Sequence, residues 1–92
     1  MSLNSYRDEV RNFLEKINAL NEGPKKKVEW LEEEFQLLKQ FIEKNQQDKI
    51  KHQIYDMMFL LFEISVDYEF NLDEEWNIGR ENKQKKYIQK NT

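Results

Sequence analysis

The chain contains no cysteine, two glycines and one proline in 92 residues. Without cysteine there is neither a disulfide nor a thiolate metal site, which fits a reducing compartment such as the cytoplasm. So few turn formers exclude a sheet protein of this size, which would need them about every ten positions. Long apolar runs are missing too. The longest, Met57–Phe62, is too short to span a bilayer, and the N-terminal "MSLNSYRDEV" lacks the apolar core of a signal peptide. Nor does one sign of charge dominate. Fifteen Lys and Arg stand against 18 Asp and Glu, interspersed, for a net charge of −3, which offers no basic field for nucleic acid and no polybasic membrane anchor. No glycine-rich loop is present to cradle phosphate, and no serine sits in a nucleophile motif. The expectation is one soluble, cytoplasmic domain over residues 1–92, with neither nucleic acid nor membrane as partner.

What is present is helical patterning. Tyr6, Val10, Phe13, Leu14, Ile17 and Leu20 recur at three- and four-residue steps, predicting a first helix over 4–20 ended by "NEGP". Pro24 suits the first turn of a second helix over 24–44, whose apolar seam is Val28, Leu31, Phe35, Leu38 and Ile42. A third helix over 47–68 is apolar at eight of the eleven positions from Ile54 to Ile64, tyrosine aside, which is too many for one stripe. Such a helix must be covered on several sides, and three short companions barely suffice. "NLDEEW" offers an Asp cap and an acidic first turn for a fourth helix over 73–89, whose lysine-rich end also suits the helix dipole. The predicted fold is all-α, a four-helix bundle-like protomer whose core is completed by dimerisation.

The acids have a pattern of their own. At 100° per residue, Glu29, Glu33, Gln36 and Gln40 share one side of the second helix, while His52, Gln53, Asp56, Glu63 and Asp67 form a stripe on the third. If the two helices are antiparallel neighbours, position 36 faces the level of 56, with 33 and 53 about 4.5 Å to either side. Four oxygen-bearing side chains then stand close enough to serve Mg²⁺, which takes few protein carboxylates and leaves the rest of its shell to water and phosphate. The competing reading is two solvated faces, the usual meaning of polar stripes in a chain that is 36% charged. Leu60 inside the stripe, and Asp56 beside "MMFLLF", speak for burial instead. Glu34 lies between two apolar sectors, so burial alone favours it over Glu33. His52 and Asp56 have the spacing of a transition-metal pair, although a lone histidine is more often a surface group. Met57 and Met58 read as core filling, and Trp30 and Trp76 as core or interface anchors or as stacking surfaces for a base.

From Val28 to Tyr87 the sequence resembles the MazG-like nucleoside triphosphate pyrophosphohydrolases, an all-α superfamily related to dimeric dUTPases. That family carries Glu-Glu-x-x-Glu on one helix and Glu-x-x-Asp on the next, ahead of an apolar run. Here "LEEEFQLL" and "HQIYDMMFLLF" take those places, with sixteen residues between the motifs. The resemblance implies a four-helix bundle built around a homodimer, Mg²⁺ or Mn²⁺ as cofactor, and hydrolysis of a nucleoside triphosphate or related nucleotide to monophosphate and pyrophosphate. Carried over, the first motif falls on Glu32, Glu33 and Gln36 and the second on Gln53 and Asp56. Glu33 and Asp56 are then the principal metal ligands, Gln36 and Gln53 supply carbonyl oxygens, and Glu32 ligates or orients water. Two of the family's glutamates are thus glutamines here, which add no charge and cannot act as a base. Glu63, farther along the Asp56 stripe, is a candidate for the lost charge, independent of the family pattern. "GRENKQKKY" places Arg80, Asn82, Lys83 and Lys86 where the family has groups near substrate phosphates, although lysines at a helix end also suit the dipole alone. The other class of function open to such a chain is a non-catalytic dimeric module that binds nucleotide or protein.

Overall fold

The structure, a computed structural model, describes residues 2–88 and is all-helical: α1 Leu3–Lys16, α2 Pro24–Glu43, α3 Gln47–Tyr68 and α4 Leu72–Tyr87. The expected end of the fourth helix at Gln89 lies outside the described residues. Among those described, no helix is long and apolar enough to cross a membrane.

Two ends differ from expectation, for local reasons. α1 stops at Lys16 because Asn18 takes a left-handed conformation (φ 60°) and the Ala19 N–H returns to the Leu14 carbonyl at 2.8 Å. Asparagine tolerates this geometry, so the turn comes before "NEGP" is reached. Gly23, also left-handed (φ 82°), instead precedes Pro24 at the start of α2. At α4 the cap is Asn71, whose side chain accepts the Glu74 N–H, rather than Asp73. Asp73 turns to the start of α1, where Oδ1 accepts the Leu3 N–H at 2.9 Å and Oδ2 the Asn4 N–H at 3.4 Å. The Leu72 N–H donates to Asn4 Oδ1, and the Arg7 guanidinium to the Phe70 carbonyl, so a polar joint ties α4 to α1.

α3 is the hub, packed by α2 on one side and by α1 on another, while the main contact of α4 is with α1. Val10 and Leu14 meet Val66, with Ala19, Phe59 and Phe62 around them, and Phe13 stands edge-on to Phe59. That core is small. The chain is correspondingly spread, with a radius of gyration of 16.0 Å against about 12 Å for a compact chain of this length.

The expected seam of α2 is divided. Leu31 and Leu38 are half-buried, but Val28, Phe35 and Ile42 are exposed, while Lys27 and Glu34 turn inward in their place. Val28, Phe35 and Ile42 are spaced by sevens, as are the equally exposed Ile54, Leu61 and Tyr68 of α3. On antiparallel helices the two rows fall on the same side of the α2–α3 hairpin, away from α1.

Candidate functional site

Contacts between α2 and α3 fix their register. Gln53 of α3 donates its amide to the Glu34 carbonyl at 2.9 Å and to Glu34 Oε2 at 2.5 Å. Nearer the other end, the Lys27 ammonium donates to both oxygens of Asp67, at 2.8 and 2.9 Å, and to the Glu63 carbonyl at 3.5 Å. The helices are therefore antiparallel, with the level of position 36 close to that of 56, as the wheel geometry requires.

The stripe on α3 is not a solvated face. Gln53 and Glu63 are buried, Asp56 and Asp67 half-buried, and only His52 is well exposed. Most of the stripe is a polar seam within the α2–α3 contact, interrupted by the buried Leu60. Its cation is Lys27, at 0% exposure. A buried ammonium is tolerable because carboxylate and carbonyl oxygens replace its water. Sequence reasoning missed Lys27 because "PKKK" reads as a solvated first turn. The available signal was its place four residues before Leu31 and seven before Glu34, on the inward row. Burial pushes the Glu63 carboxyl above its usual range; Lys27 opposes the rise, and Asp67 and Glu22 add to it. Glu63 thus belongs to the Lys27 end of the seam, two turns from Asp56.

Glu34, rather than Glu33, turns toward α3. Glu32 and Gln36, two residues to either side of Glu34, lie about 160° round the helix from it, on the face turned from α3, and both are exposed. Glu33 is also exposed but, three residues after Trp30, lies on the Trp30 side of Glu34. That side opens on a cleft of about 610 Å³ between α1, α2 and α3, with Glu9, Glu34 and Asp56 as its acids and Phe13, Trp30 and Tyr55 among its walls. Asp56 Oδ2 lies 3.3 Å from His52 Nε2, one turn before it. Among the described residues, Glu32, Glu33 and Gln36 make no hydrogen bond to Gln53 or Asp56. Arg80, Asn82, Lys83 and Lys86 are exposed on α4 and do not line the cleft; Arg80 and Lys83 line a separate groove along α4.

Among the described residues, no three His, Asp or Glu side chains are grouped to enclose a metal ion. The donor set fits a hydrated hard cation held by one or two carboxylates, the usual protein share of a Mg²⁺ shell, rather than a closed cage. Asp56, Glu34 and Glu9 are the acids that line the cleft, and the Gln53 amide on Glu34 is a competing partner. Walls of Trp, Tyr and Phe next to carboxylates suit a ligand with one flat apolar part and one part that carries a cation.

No family model, curated protein or solved structure matches the chain.

Proposed function

We propose that the chain is a MazG-like nucleotide pyrophosphohydrolase, with the Asp56 cleft as its site and a nucleoside triphosphate, or its deoxy form, as substrate. One observation carries the reading: the antiparallel α2–α3 register puts Asp56 and Glu34 on the same aromatic-walled cleft. Trp30, Phe13 and Tyr55 offer flat surfaces for a base, and Asp56 and Glu34 would hold the divalent cation that accompanies a triphosphate. Bound Mg²⁺ would supply charge neutralisation and polarisation of a phosphoryl oxygen. The chain's own part would be to orient: Asp56 and Glu34 would hold the cation that neutralises the phosphates. Glu33, on the Trp30 side of Glu34, would direct water to the bond between the α and β phosphates, a role that Glu32, on the opposite face of α2, cannot reach. Arg80, Asn82, Lys83 and Lys86 reach such phosphates only from a differently placed α4, that of a second copy included.

Self-association belongs to the proposal. The rows Val28, Phe35, Ile42 and Ile54, Leu61, Tyr68 form an apolar strip on a chain whose own core is small. Pairing two hairpins through this strip makes a four-helix core with two-fold symmetry, the homodimer proposed here.

A second reading rests on Gln53. Its amide is spent on Glu34, and a glutamine adds no charge, so the same cleft also suits a module that binds nucleotide without turning it over. Pyrophosphate release from a panel of unmodified and modified nucleotides, with Mg²⁺ or Mn²⁺, separates the two. Turnover abolished by Asp56→Asn supports the enzyme. Binding without turnover supports the module, and neither turnover nor a metal-dependent thermal shift sinks both.

A further inference from the structure

α4 carries a face that its own protomer leaves open. Leu72, Trp76, Gly79, Lys83 and Tyr87 run along one side of the helix and line a groove of about 690 Å³ with Leu3. Trp76 is 60% exposed there. Gly79 stands near the middle of this helix, where glycine costs about 1 kcal/mol relative to alanine, and a Cβ at that position would meet nothing within 4 Å. The absence of a side chain therefore answers no neighbour within the protomer. What it allows is the close approach of another backbone.

The charges indicate whose backbone. Asp73, Glu74 and Glu75 fill the first turn of α4, and Lys85 and Lys86 the last, with Lys83 just before. We infer that α4 pairs with α4 of a second copy, antiparallel and crossing at Gly79. A two-fold axis there sets each residue before position 79 opposite the one equally far after it. Glu75 of each copy then faces Lys83 of the other, both on the grooved side, and Leu72 meets the aliphatic stem of Lys86. The two Gly79 residues face each other at the axis, and Trp76 of each copy stands one turn away, level with Asn82 of the other. A parallel arrangement would set like charges together, so the sequence of α4 is complementary to itself in one direction alone. A 16-residue helix is about 24 Å long, so the contact lies at the small, reversible end of protein interfaces. It is separate from the α2–α3 strip, and with that strip it would join dimers into larger assemblies.

Mixing two single charge reversals tests the pairing. Glu75→Lys and Lys83→Glu each repel their own kind, but together they offer two attractive pairs. Sedimentation velocity is expected to show each variant associating at least about tenfold more weakly than wild type, a difference of about 1.4 kcal/mol, and the equimolar mixture regaining wild-type association. Because the chain has no cysteine, Gly79→Cys gives a second readout: mild oxidation is expected to link two copies far faster than it links Glu81→Cys, on the opposite face of the helix. A mixture that associates no better than its components, or a Gly79→Cys rate no higher than that of Glu81→Cys, overturns the inference. Neither readout depends on nucleotide or turnover, so failure here leaves the Asp56 cleft untouched.

Discussion

The Lys27 ammonium and the Asp67 carboxylate, forty residues apart in the chain, meet at 2.8 and 2.9 Å where Lys27 is wholly excluded from solvent. This ion pair, with the Glu63 carbonyl as a further acceptor, pins the start of α2 to the end of α3. The levels of Glu34, Gln53 and Asp56 follow from it.

Breaking the pair on one side strands a buried charge. Lys27→Met is expected to lower unfolding free energy by about 3 kcal/mol, as removal of one partner of a buried pair does. Replacing both, as Lys27→Met with Asp67→Leu, should restore most of the loss, because no charge is then left without a partner. Urea denaturation of the two variants and wild type checks both values.

Glu63 gives the fold a pH dependence of definite sign. Burial raises its carboxyl pKa in the folded chain, with Lys27 opposing and Asp67 and Glu22 adding to the rise. The folded state therefore holds this proton more tightly than the unfolded state. The associated stability is full below the ordinary carboxylate range and is lost as pH rises through the raised value. Glu63→Gln should thus unfold at a higher temperature than wild type at neutral pH, and the difference should shrink as pH falls through the raised value toward the ordinary carboxylate range, below which it is gone. Melting curves over that interval measure it. Unchanged Mg²⁺ binding in the same variant would remove Glu63 from the list of metal ligands.

Gln53→Glu tests the seam next to Asp56. In the wild type the Gln53 amide donates to two oxygens of Glu34. A carboxylate there would face a carboxylate and a carbonyl with no donor of its own, at a cost of about 1–3 kcal/mol. If the cleft takes a divalent cation, millimolar Mg²⁺ should recover much of the lost melting temperature, and more than it adds to wild type. Gln36→Glu alone, on the exposed back of α2, should show neither effect.

Much of the fold was legible in the sequence because apolar period and turn residues act locally. The apolar circumference of α3 called for cover on several sides, which α1 and α2 supply in part while Ile54, Met58 and Leu61 stay exposed, and its expected span, 47–68, matches Gln47–Tyr68. The end of α1 was misread because Asn18 provided a left-handed turn before the more conspicuous glycine. The seam of α2 was misread for a different reason. Periodicity assigns the inward row to apolar residues, whereas Lys27 and Glu34 turn inward and Val28, Phe35 and Ile42 outward. A polar pair is stable inside only when its partner is present, and Asp67 and Gln53 lie on another helix. Glu34 was marked by its position between apolar sectors, but its contact with Gln53 required the register. The Asp56 level could be reached by counting residues along two helices. The cleft beside it could not, because Glu9 and Phe13 come from α1, whose crossing over α3 no spacing encodes.

The two tryptophans allow the most direct test of the cleft. Trp30 lines it and Trp76 stands on α4, outside it. With Trp76→Phe, fluorescence reports Trp30 alone; with Trp30→Phe, it reports Trp76 alone. Titration with a non-hydrolysable nucleoside triphosphate analogue and Mg²⁺ is predicted to change Trp30 emission saturably, to need the metal, and to lose the response on Asp56→Asn, with Trp76 little affected. A saturable response from Trp76 with none from Trp30, or a Trp30 response indifferent to Mg²⁺ and to Asp56→Asn, would contradict the assignment of the Asp56 cleft as the nucleotide site.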